Sequence, residues 1–146
     1  MSAGPNRRGL ALAAAQASFA AMYPARRVER GMQEPAEVGD AVLRQGLFTF
    51  IATGRNAFSG EVGAEHRDST LSFALVAYGQ VADLSAAGLS LRVEQLEEQL
   101  EQEVIEWCQA AKPAPLDAVY IKNATYSQGL DAPVAWVVLE LEALYV

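Results

Sequence analysis

The sequence predicts a single α+β domain spanning 1–146, built on a mainly antiparallel sheet with two helices packed on one face. Three observations carry that expectation. Apolar and polar residues alternate over 69–81 and again through the closing run 134–146, the period of half-buried strands. Apolar residues recur every three or four positions over 10–22 and 90–111, the period of amphipathic helices. A chain of 146 residues that is 51% hydrophobic can bury a core without disulfides or metals.

Taken in order, Pro5 and Asn6 can start an Ala-rich helix that runs to about Met22, with Leu12, Ala15, Phe19 and Met22 at helical spacing, and Tyr23-Pro24 ends it. Arg26 to Met32 alternates weakly and fits a short strand too polar for the middle of a sheet. Gln33 to Gly39, with Pro35 and several acids, reads as a loop, and Ala41 to Thr53, centred on Leu47, Phe48, Phe50 and Ile51, as a strand. Gly54 to Arg67 is glycine-rich and charged, longer than a hairpin turn, and reads as a long polar loop. Ser69 to Val81 should pair with the preceding strand.

Asp83 to Gly88 reads as a turn and Ser90 as the N-cap of a helix ending near Ala111. Val93, Leu96, Leu100, Val104 and Trp107 define its buried stripe, while Glu94, Glu97, Glu98, Glu101, Glu103 and Glu106 read as a solvated acidic face. Ala118 to Tyr126 and a last strand from Pro133 or Val134 to Val146 should form a hairpin about Ser127 to Asp131, with Glu140 and Glu142 opposite an apolar row.

The chain carries 18 acids against 11 bases, a net charge of −7, which disfavours direct binding to DNA or RNA. A lone Cys108 cannot form an internal disulfide or a multi-thiolate metal site. The apolar stretch from Leu10 to Met22 follows Arg7 and Arg8 but is interrupted by Gln16 and Ser18 and is too short to span a bilayer, so neither a signal peptide nor a membrane partner is expected. The single histidine, His66, lies in the polar loop. With Ser59, Ser69 or Cys108 as nucleophile and Asp68 as orienter, it has no spacing that supports a triad. Gly54-Arg55-Asn56 lacks the spaced glycines and lysine of a nucleotide loop, and no cofactor or metal ligand set is expected.

Charge is unevenly distributed: residues 1–73 sum to +1 and residues 74–146 to −8. If the fold keeps the halves apart, an Arg-bearing edge of one copy could meet an acidic edge of the next; if the halves interleave, the asymmetry disappears.

The order of helix, short strand, strand, polar loop, strand, amphipathic helix and terminal hairpin, closed by the run from Ala135 to Val146, resembles the tail terminator proteins of long-tailed, non-contractile bacteriophages. The likeness covers nearly the whole chain and rests on element order, on the strands Gly46 to Thr53 and Asp68 to Tyr78 around the loop, and on the helix from Ser90 to Ala110. It implies a virion structural protein and not an enzyme. Such a subunit forms a homo-oligomeric ring, a hexamer in the family, that caps the tail tube, stops its polymerisation and meets the head-completion or connector protein. A related head–tail connector or tail-completion role has the same texture. Within this reading, Arg55, Phe58, Glu61 and Arg67 of the polar loop are the expected interface residues, because an aromatic beside charge is common at interfaces. The rival is a small pocket-bearing enzyme or ligand-binding domain with Tyr78, Tyr120 or Tyr126 between sheet and helices.

Overall fold

The computed structural model describes residues 7–58 and 69–145. Its elements are α1 (Arg7–Met22), β1 (Arg27–Arg30), α2 (Pro35–Val38), α3 (Asp40–Gln45), β2 (Leu47–Phe58), β3 (Ser69–Gln80), α4 (Leu89–Gln109), β4 (Leu116–Tyr126) and β5 (Val134–Tyr145). The five strands form one sheet in the order β1-β2-β3-β5-β4. All neighbours are antiparallel except β1 and β2, which pair in parallel over Arg27↔Leu47 to Arg30↔Phe50. The fold is therefore the expected α+β class, with the polar short strand at an edge.

Alternation decides which side each strand buries. Phe48 and Phe50 of β2, Leu71, Phe73, Leu75 and Ala77 of β3, and Val137, Leu139, Leu141 and Ala143 of β5 point to one side, where Leu12 and Phe19 of α1 and Leu100, Val104 and Trp107 of α4 cover them. At the centre Phe50 stacks on Phe73, with centroids 5.8 Å apart, and meets Trp107 edge to face at 5.9 Å. The Trp107 indole N–H is satisfied by donating to Ser18 Oγ at 3.0 Å, as a buried indole requires. Gly79 of β3 lies under α4, where an added Cβ would stand 2.8 Å from Leu96 Cδ2, so the missing side chain is what lets helix and strand approach.

The second face differs from expectation. The segment read as a loop and a strand, 33–53, contains α2 and α3, and the strand begins only at Leu47. Leu43 of α3 packs with Leu47, Val76 and Tyr78 on the side of the sheet opposite α1 and α4. A six-residue helix is too short to show a helical period, and Leu43 is its only buried residue, so the pattern ran on into the strand. Gly46, at φ 90°, separates helix from strand; a Cβ there would lie 2.7 Å from Arg26 Nη1.

Two further boundaries moved. The polar signal of 54–58 belongs to β2, whose backbone pairs Asn56↔Leu71, Ala57↔Thr70 and Phe58↔Ser69 after a register shift beyond Ala52. Thr53 Oγ1 donates to the Ser72 carbonyl across this irregularity at 2.7 Å. Glycine and polar residues here mark a bulge rather than the start of a loop. Helix α4 starts at Leu89 after Gly88 in the left-handed region, and Ser90 is exposed in the first turn. Its entry is set by Arg92, which donates to the carbonyls of Asp83, Ser85 and Ala87. At the other end the Lys112 ammonium closes the helix by donating to the carbonyls of Trp107 and Ala110. Among the described residues no helix is long and apolar enough to cross a membrane.

Candidate interaction surfaces

The expected interface residues fall at the margin of what the structure describes. Arg55 and Phe58 sit in the backbone of β2, and Glu61 and Arg67 lie outside the described residues, as does His66. The three tyrosines of the rival reading are not brought together. Tyr78 pairs opposite Trp136 on the second face, Tyr120 opposite Glu142 on the same face near the other sheet edge, and Tyr126 turns toward α4. The layer between sheet and long helices is filled by packed aromatic and aliphatic side chains. The concave surfaces lie beside that layer.

One is a groove of about 560 Å³ between α4 and the β4–β5 hairpin, lined by Glu94, Glu97, Glu98, Glu101, Tyr126 and Gln128 among others. Helical spacing puts these acids on one flank of α4. Glu97, expected on a solvated acidic face, is only 4% exposed, and its carboxylate accepts the Ser127 backbone N–H at 2.7 Å. A charge-assisted bond to the hairpin makes that burial tolerable. The signal was present in the spacing, because Glu97 lies four residues after Val93 and three before Leu100, inside the buried stripe. The hydrogen bond to Glu101, helped by burial and by the charges of Glu101, Glu97 and Glu98, pushes the Tyr126 hydroxyl up to about 12. The arrangement stabilises a neutral phenol at the rim of an acidic groove. Among the described residues no cluster of His, Cys, Asp or Glu has the geometry of a metal site. The Cys108 thiol is pushed up to about 11 by burial, against the opposing charge of Lys112, which is the opposite of an activated nucleophile.

The second groove, about 650 Å³, lies on the other face between α2–α3 and the sheet. Val76, Tyr78, Val134, Trp136 and Val138 form its floor, Pro35, Ala36 and Leu43 a wall, and Glu34, Asp40 and Asp131 its rim; no lysine or arginine lines it among the described residues. Asp131 accepts the Trp136 indole N–H at 2.7 Å, which holds the ring against the floor.

Strand order keeps the two halves of the chain at opposite edges of the sheet, but much of the charge is consumed internally. Arg26, just before β1, forms a two-point bridge to Glu103 of α4, with Nε–Oε1 at 2.9 Å and Nη2–Oε2 at 2.5 Å. Tyr23 donates to Glu106 at 2.9 Å beside it. Arg27 pairs with Glu29, and Lys122 with Glu142. Arg26 and Arg27 of the expected Arg-bearing edge are thus paired within their own chain.

No protein-family model and no curated protein matches the sequence. Among solved structures the chain is similar to one from the virion of a native gene transfer agent particle, with a TM-score of 0.53 and 11% sequence identity, covering 97% of this chain and 98% of that one. At that identity the likeness is one of fold, and it extends over nearly the full length of both chains.

Proposed function

We propose that this chain is a structural subunit of a phage-like virion, acting as a tail-terminator-type ring that caps the tail tube and presents a joining surface to a head-completion or connector protein. The observation that carries the proposal is the end-to-end likeness in fold to a chain of a gene transfer agent virion. The element order that resembles the tail terminators supports it independently. In this reading the subunit is not an enzyme, and its work is done by surfaces.

The test is native mass across a concentration series, measured by light scattering behind a sizing column, followed by addition to polymerising tail tubes. A hexamer, or a protomer that becomes one as concentration rises, together with tubes of arrested length, is the expected result. Assembly that leaves tube growth untouched but binds a head connector would move the subunit to the connector side of the joint. A strict protomer that neither assembles nor arrests tubes overturns the proposal.

A further inference from the structure

Among the described residues nothing covers the outer face of helix α1. Ala11, Leu12, Ala15 and Phe19 are buried against the sheet, while Leu10 (49% exposed), Ala13, Ala17 and Ala21 face outward. From Gly9 to Ala25 there is no charged residue, although outer faces of surface helices ordinarily carry charge. The charges the helix has, Arg7 and Arg8, stand in its first turn, where the helix dipole disfavours cations, and no acid accompanies them. Local preference is therefore violated twice on one exposed element, a pattern expected where a partner completes the environment.

The groove on the opposite face has the complementary character. Its floor of Val76, Tyr78, Trp136 and Val138 is apolar, and its rim of Glu34, Asp40 and Asp131 is acidic, with no base among the described lining residues. We propose that the outer face of α1 from one copy of this chain seats in the α2–α3 groove of the next, with the Arg8 end of the helix set toward the acidic rim. An apolar helix face with cations at one end matches an apolar floor with acids at its margin, and the acids would also offset the unfavourable first turn of α1. Small residues at 13, 17 and 21 allow the helix to approach the floor closely.

The two surfaces lie on opposite faces of one sheet. A contact between them is heterologous: each copy offers both halves, so the contact propagates and closes into a ring when the rotation permits. The inference rests on the ring reading and names the surfaces that build it.

The experiment uses two variants of the full chain at exposed positions, Ala17→Glu on α1 and Ala36→Arg on the groove wall, each checked for unchanged circular dichroism and melting temperature. The wild type should reach a multiple of the 15.7 kDa protomer. Each variant alone should remain a protomer, because one half of every contact is spoiled. Their mixture should give a discrete species of twice the protomer mass and nothing larger, because the intact α1 of one meets the intact groove of the other. An oligomer that persists in Ala17→Glu, or in Ala36→Arg, overturns this assignment while the ring reading stands; so does a mixture that stays at protomer mass. A wild type that remains a protomer at its highest soluble concentration overturns both.

Discussion

Replacing Arg26 and Glu103 by alanine, singly and together, measures the bridge that ties the first edge strand to the longest helix across 77 residues of sequence. The guanidinium makes two parallel bonds to one carboxylate, at 2.9 and 2.5 Å, and its third nitrogen, Nη1, donates to the Gln45 carbonyl at 2.9 Å. The side chains are 18% and 12% exposed, so water screens the pair little. Exposed pairs contribute about 0.2–1 kcal/mol, whereas hydrogen bonds to charged groups at partly buried sites contribute about 1.5–3 kcal/mol. Desolvation of both ions offsets part of the gain. The expected coupling energy is about 1.5–3 kcal/mol. Arg26→Ala alone should cost about 2–4 kcal/mol, because it also leaves the Gln45 carbonyl and Glu103 without their donor. Urea unfolding of the four proteins at constant m-value gives the coupling directly. It should survive in about 0.5 M NaCl, where exposed pairs fade. A coupling below about 0.5 kcal/mol, or one abolished by salt, would show that the bridge behaves as an ordinary surface pair and that other contacts hold β1 to α4.

Phe50→Ala removes the ring shared by Phe19, Phe73 and Trp107, and should lower stability by about 3–5 kcal/mol with the urea m-value unchanged, which chemical denaturation will show. Tyr126 should ionise near pH 12. Its folded-state value is raised, so no stability is lost below about pH 10, where the unfolded chain begins to ionise, and stability falls as pH rises through that value toward the folded one. Ultraviolet titration of wild type against Tyr126→Phe isolates the step, and Glu101→Gln should move it back toward the ordinary phenol range. If Glu61 and its neighbours form the interface expected from the sequence, deleting residues 60–64 should abolish tube arrest in a variant whose urea midpoint is unchanged; tubes capped normally by that variant would remove the segment from the interface.

Much of this architecture was legible before folding. Alternation over 69–81 and 134–146 and three-to-four spacing over 90–111 report which side of each element meets the core, and the structure places Leu71, Phe73 and Leu75, Val137, Leu139 and Leu141, and Leu100, Val104 and Trp107 accordingly. Short elements and bulges were not legible. The six residues of α3 bury only Leu43, and the polar start of the supposed loop is a strand whose register slips beyond Ala52. A helix of six residues is too short to show its period, and in β2 local composition was overridden by pairing to a strand distant in sequence. The first helix shows the same limit, since Met22 fits the apolar period but stands outside at the helix end.

The surfaces divide along the same line. Sequence alone determined the class of domain, the paired strands, the net acidity and the charge difference between the halves, because these follow from composition and from periods that each segment carries in itself. Only the tertiary structure decided that Arg26 is consumed by Glu103, that Ser127 is the partner of the Glu97 carboxylate, and that an uncharged helix face and an acid-rimmed apolar groove stand on opposite sides of one sheet. Those facts depend on strand order, β1-β2-β3-β5-β4, which brings residues tens of positions apart to one surface. No period read along a single segment contains that order, because it is set by how the apolar faces of all the elements are buried together.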